Sequence, residues 1–163
     1  MLRKLIFAAG LSLALAASAG AQTWTAVASS TSIDESDTAN YSINGGALFF
    51  KSSATGNVRG ELNVVNLKDS GNPAWTTLEL VANGGAGGLG VGTSATLYRQ
   101  ARTTGSTTSI CVAVAPSTGV TSTTTCTFSS STFDFANNNY FVFLSLGRTS
   151  TSQTVNAYSV RVF

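Results

Sequence analysis

The residues able to do chemistry in this chain are few. Seven carboxylates, two cysteines, two tryptophans and four tyrosines are spread over 163 positions, and histidine is absent. Without histidine, the usual base of serine and cysteine hydrolases is missing, and so is the commonest zinc ligand. Two cysteines cannot supply a four-thiolate metal site. Paired carboxylates can hydrolyse a glycosidic bond. Asp34, Glu35, Asp37, Glu61, Asp69, Glu79 and Asp134 are too scattered for the sequence to pair them. A carboxylate-dependent hydrolase is therefore a remote reading. The chain is expected to be no enzyme and to need no cofactor.

One stretch does match a cofactor motif. Gly85 to Gly90 reads GAGGLG, a literal G-x-G-x-x-G behind a strand-like run. A dinucleotide loop works because its N–H groups and a following helix N-terminus meet a pyrophosphate. It also needs an acid about 20 residues later to hold the ribose. Here Val91, Thr93, Ala95 and Leu97 alternate as in a strand, and no Asp or Glu lies between Glu79 and Asp134. The expectation is a mobile glycine loop that binds no nucleotide and tolerates substitution.

Three further constellations remain. Asp34-Glu35-Ser36-Asp37 is the one acidic cluster, and its oxygens are candidate calcium ligands at Asp34, Glu35 and Asp37, although the regular spacing of a calcium loop is lacking. Trp75 shares strand parity with Thr77 and Glu79, so it is expected to face away from Leu78 and Leu80. With Tyr98 it forms a candidate stacking platform for a sugar ring. Cys111 and Cys126 are expected to form a disulfide. Thr118-Gly119 would serve as a two-residue hairpin loop, with Cys111 opposite Cys126 and Pro116 at a position that needs no N–H.

The ends and the composition set the context. Arg3 and Lys4 precede an apolar run from Leu5 to Ala17, and Ala19-Gly20-Ala21 supplies small residues. That is the pattern of a secretory signal peptide spanning 1–21, cleaved before Gln22. The run is too short for a comfortable membrane span. Beyond residue 21, seven basic side chains balance seven acidic ones, so the basic footprint of a nucleic-acid binder is missing. Ser and Thr make up 43 of residues 22–163. The surface is thus wetted by hydroxyls rather than by ions.

Period-two segments separated by Gly, Asn and Ser clusters dominate. They place strands at 23–29, 39–43, 46–51, 57–67, 74–82, 92–101, 107–115, 121–129, 140–146 and 155–163. This predicts an all-β fold, an antiparallel, jelly-roll-like sandwich of about eight to ten strands forming a single domain over 22–163. Ile110, Val112 and Val114 read as the buried face of their strand. Tyr140 to Leu144 is apolar on both faces and is expected centrally. Thr121 to Thr127 is polar on nearly both faces and is expected at an edge. Its four threonines on one face form too short a row for an ice-binding surface. A C-terminal Phe163 is common in outer-membrane barrels, but Ser159 and Arg161 share its parity and break a lipid-facing stripe. The tail NNNYFVFLSLGRTSTSQTVNAYSVRVF resembles the closing strands of secreted bacterial β-sandwich modules. That resemblance implies a fold and carries no functional motif.

Together these features predict an exported bacterial protein, extracellular or periplasmic, with a structural or adhesive role. Its partner would be another copy or another surface protein met through a strand edge. The alternative is a small carbohydrate-binding module built on Trp75 and Tyr98. Nucleic acid and a stable membrane span after processing are not expected.

Overall fold

A computed structural model describes residues 22–68, 71–87 and 91–163. The expected leader, 1–21, lies outside the described residues, as does the second half of the glycine motif, 88–90. Eleven strands follow in order: β1 (Trp24–Val27), β2 (Ser32–Ile33), β3 (Tyr41–Asn44), β4 (Ala47–Phe50), β5 (Gly56–Val64), β6 (Thr77–Gly84), β7 (Gly92–Ala101), β8 (Thr107–Val114), β9 (Thr121–Thr127), β10 (Asn138–Arg148) and β11 (Val155–Val162). All pairings are antiparallel.

Alternation of side chains forces two layers. In β10, Val142, Leu144 and Leu146 are fully buried, while Phe141, Phe143 and Ser145 between them face the other way. Burying each such side chain is worth roughly 1.5–3 kcal/mol, and a strand with one apolar row must lay that row on a second sheet. One sheet has the order β2-β5-β10-β7-β8. The other has the order β3-β4-β11-β6-β9, with β1 also paired to β11. Val58, Leu62, Val142, Leu144 and Leu97 from the first sheet meet Leu48, Leu78, Leu80, Val160 and Val162 from the second in one core. From β4 onward the chain crosses between sheets at every connection except the β7–β8 hairpin, which gives the jelly-roll-like wrap.

Several expectations meet their test here. Strand β10 is central, and β9 is the outermost strand of its sheet. The Cys111–Cys126 disulfide is present, with the Cα atoms 6.0 Å apart. Its setting differs from the expected hairpin. Strand β8 pairs with β7 and β9 pairs with β6, so the bond joins the edges of two different sheets. The segment from Ala115 to Val120 is an arch rather than a two-residue turn. The Ala115 N–H bonds across to the Thr93 carbonyl of β7, and the Thr118 N–H bonds locally to the Pro116 carbonyl. Gly119 takes a positive φ of 72°, and its carbonyl accepts from the Asn83 amide at 2.9 Å.

The face of β8 is also reversed from expectation. Ala113 is buried, whereas Val112 and Val114 are 48% and 57% exposed. Register explains it. Leu97 faces Cys111 and Tyr98 faces Ser109, so Ile110 is the extra residue of a bulge. Cys111 must point inward to reach Cys126, and Ala113 follows it by parity.

The disulfide closes a 15-residue separation, a constraint worth about 3 kcal/mol in the chain-entropy view. Replacing both cysteines by serine is expected to lower the unfolding free energy in urea by about that amount. An unchanged midpoint would show that the flank holds without the bond.

Candidate functional site

The acidic cluster is a structural joint. Asp34 caps a one-turn 3-10 helix, Glu35–Asp37, by accepting from the Ser36 N–H at 2.9 Å and the Ser36 hydroxyl at 2.6 Å. Those bonds hold its carboxyl below the usual carboxylate range. Asp37 is 5% exposed and accepts from the Arg59 Nε and the Arg59 backbone N–H at 2.9 and 3.0 Å. The calcium reading of Asp34, Glu35 and Asp37 is corrected accordingly. The Arg59 guanidinium already engages the Asp37 carboxylate, and no group of three metal-ligating side chains occurs among the described residues. Glu79 is likewise engaged, by Arg161 at 3.4 Å.

Trp75 is also corrected. It is fully buried and cannot stack on a ligand. The parity argument failed because β6 starts at Thr77. Trp75 precedes the strand and turns inward, while Thr76 and Thr77 N–H groups bond to the Phe163 carbonyl. Its indole N–H donates to the Gln22 carbonyl at 2.8 Å. Its ring meets Phe133 edge-on at 5.1 Å, and Phe133 meets Tyr140 at 4.7 Å. This cluster closes one end of the sandwich. The Tyr140 hydroxyl bonds to the Thr132 carbonyl and receives the Asp134 N–H, and burial raises its pKa.

The glycine motif is packed rather than free. The Gly85 N–H bonds to the Asn83 side chain, whose amide reaches Gly119, and the Thr93 hydroxyl bonds to the Asn83 carbonyl. Ala86 bridges to Thr118. A Cβ on Gly84 would meet the Ala115 and Pro116 carbonyl oxygens at 2.6 Å. The motif thus lets β6 end against the arch between the sheets. This corrects the expectation of a mobile, tolerant loop at Gly85, while Gly87 keeps the expected tolerance.

Tyr98 alone of the proposed platform faces out. It lies on the outer face of the five-stranded sheet, opposite Phe141. The two rings stack at 5.2 Å and 17°, and Phe143 meets Tyr98 edge-on at 6.5 Å. Register sets the neighbours. Asn63 faces Phe141 on one side, Glu61 faces Phe143, and Gln100 faces Asn139. Beside the stacked pair, on the Phe141 side, lies a groove of about 690 Å³ lined by Glu61, Asn63, Gln100, Arg102, Phe135, Asn139 and Phe141 among others; Tyr98 backs Phe141 without lining the groove. Arg102 Nε donates to the Asn139 side-chain oxygen at 3.1 Å, which leaves the Asn139 amide hydrogens as donors. Sequence reasoning missed Phe141, Phe143, Asn63 and Gln100. The two-faced apolarity of Tyr140 to Leu144 was the available signal, since a central strand with a polar outer face has no need of Phe141 and Phe143.

A second surface stands apart from the groove. Strands β8 and β9 lie side by side at one flank, each paired on one side only. Neither contains a charged residue or proline. Val112, Val114 and Val120 are exposed there. The bond between the strands belongs to oxidising, non-cytoplasmic compartments. No helix among the described residues is long and apolar enough to cross a membrane. Scans of protein-family models and of curated sequences find no match to this chain.

Backbone geometry distinguishes the two described glycines that open the motif. Gly85 has a φ of +72°, and a Cβ there would meet Val155 Cγ2 at 2.7 Å and Val91 Cγ1 at 2.9 Å. Gly87 has an ordinary φ and would meet the end of the Gln153 side chain first. Gly85→Ala is expected to cost about 1–3 kcal/mol. Gly87→Ala should cost about 1 kcal/mol or less. Equal losses in paired urea melts would contradict this assignment.

Proposed function

We propose that the chain is an exported, non-enzymatic structural or adhesive protein whose copies associate through the β8–β9 flank. The observation that carries this reading is an asymmetry between flanks. An uncovered strand edge is a row of unpaired N–H and C=O groups, and proteins that stay monomeric usually blunt it. At the far flank the edge strands are short, two residues in β2 and four in β3, and β2 is braced by the Asp37–Arg59 pair. At the near flank, eight residues of β8 and seven of β9 run free of charge, proline or covering helix. Equal numbers of basic and acidic side chains beyond residue 21 remove long-range repulsion between copies. The exposed valines add apolar area.

Export fits the same reading. A leader ending at Ala21 would leave Gln22 as the first residue, whose carbonyl receives the Trp75 indole N–H. Mass spectrometry of the protein recovered outside the cytoplasm is expected to find Gln22 at the N-terminus. A chain that keeps Met1 and stays in the cytoplasm would refute export.

Association is read by sedimentation velocity over a concentration series. The wild type is expected to form dimers or larger species as concentration rises. Lysines at Thr123→Lys and Thr125→Lys together, or at Val112→Lys, should shift that transition at least tenfold upward in concentration. These positions are exposed, so the substitutions should leave the melting curve nearly unchanged. A wild type that remains monomeric at millimolar concentration would refute the proposal.

A further inference from the structure

We propose that the groove on the outer face of the five-stranded sheet is a binding site for a neutral saccharide, with Phe141 as its apolar floor and the Tyr98 ring stacked behind Phe141 to hold it in place. The site shares only Thr107 with the β8–β9 flank and does not depend on association.

The chemistry of the lining selects the ligand. A pyranose ring offers an apolar C–H face bordered by hydroxyls, each able to donate and to accept. Aromatic rings supply the matching apolar surface. Planar amides supply a donor and an acceptor side by side. Here Tyr98 and Phe141 stack in the sheet register beside Asn63. Gln100 and Asn139 form the next cross-strand pair along the face. Hydrogen bonds among the described residues use neither the Asn63 nor the Gln100 amide, so both are free to meet a ligand. Asn139 is already oriented by Arg102. The groove volume, about 690 Å³, falls within the range of small-ligand sites, about 300–1,000 Å³.

Other occupants fit less well. A single guanidinium balanced by the Glu61 carboxylate gives no field for a polyanion. A peptide strand needs free backbone groups, whereas the groove lies on the face of β5, β10 and β7, whose backbones are paired. A lipid tail needs an apolar trough, and amides border this one. Polar side chains on rigid central strands also lose little freedom on binding.

The test is affinity electrophoresis through gels holding xylan, mixed-linkage β-glucan, mannan or dextran, with alginate and heparin as anionic probes. Insoluble cellulose and chitin are added in pull-down form. At least one neutral polysaccharide is expected to retard or capture the wild type. Tyr98→Ala and Gln100→Ala should each weaken that binding at least tenfold. Tyr158→Ala, exposed on the other sheet, should leave it unchanged. Phe141 sits on the central strand, so Phe141→Ala is read only alongside Asn63→Ala, a surface change with the same expected loss. Sedimentation of the same variants should match the wild type, which separates failure here from failure of the association reading. No binding to any neutral probe, binding only to the anionic ones, or binding indifferent to Tyr98 and Gln100 would overturn the proposal.

Discussion

The flank that carries β8 and β9 is held by a covalent bond because it has little else to hold it. The inward residues of β9 are Ser122, Thr124 and Cys126, and those of β8 are Cys111 and Ala113, with Ile110 partly buried at the bulge. Ile110 alone is large and apolar, so hydrophobic burial between these strands is small. The buried Ser122 hydroxyl even lacks a hydrogen-bond partner, a local cost. The Cys111–Cys126 bond offsets both deficits by tying one edge of each sheet together. It also explains why the flank can be neutral and open without splaying apart.

The two ends of the sandwich are closed by different means. At one end the aromatic cluster of Trp75, Phe128, Phe133, Phe135 and Tyr140 fills the gap between the sheets. At the other, Arg148 enters from the last inward position of β10. It is 6% exposed and donates to the carbonyls of Ala54, Lys51, Ser52 and Gln153, with its guanidinium 4.8 Å from the Phe50 ring centre. Burial lowers its pKa. Several carbonyl dipoles and an aromatic face stand in for a carboxylate. One side chain thereby secures both the 51–54 loop and the 149–153 turn.

Much of the fold was legible because strand alternation is a local property. The segment 92–101 coincides with β7, and β10 and β9 fell at the centre and the edge as their composition required. What failed was long-range. A hairpin between β8 and β9 satisfied local turn chemistry, but β7 and β6 were better partners in space. The parity of β8 followed its large residues until a bulge and a disulfide reversed it. Trp75 was read by the alternation of a strand that begins two residues later. The acid cluster lost its ligand role to Arg59, 22 residues further along the chain. Each miss involves a partner distant in sequence, which periodicity does not encode. The groove was only half visible for the same reason. Tyr98 could be named, but its stacking on Phe141 depends on strand order.

The difference in character between the two surfaces follows from the scarcity of charge. With few ionic side chains, the surface is distinguished by which hydroxyls, amides and rings lie together. On the sheet face, cross-strand pairing sets amides beside aromatic rings at fixed spacing, and the flanking strands keep them rigid. At the flank the side chains are small and the backbone itself is the distinctive feature. A face defined by side chains suits a small polar ligand, because each ring and amide can be matched singly. An edge defined by backbone suits another polypeptide, because only a second strand can satisfy its alternating groups. The groove lies over β5, β10 and β7, and the flank lies beyond β7 at β8 and β9, with Thr107 the one groove-lining residue on β8. A subunit held to its neighbours at the flank would then present its groove repeatedly along an assembly, and weak single contacts would be multiplied.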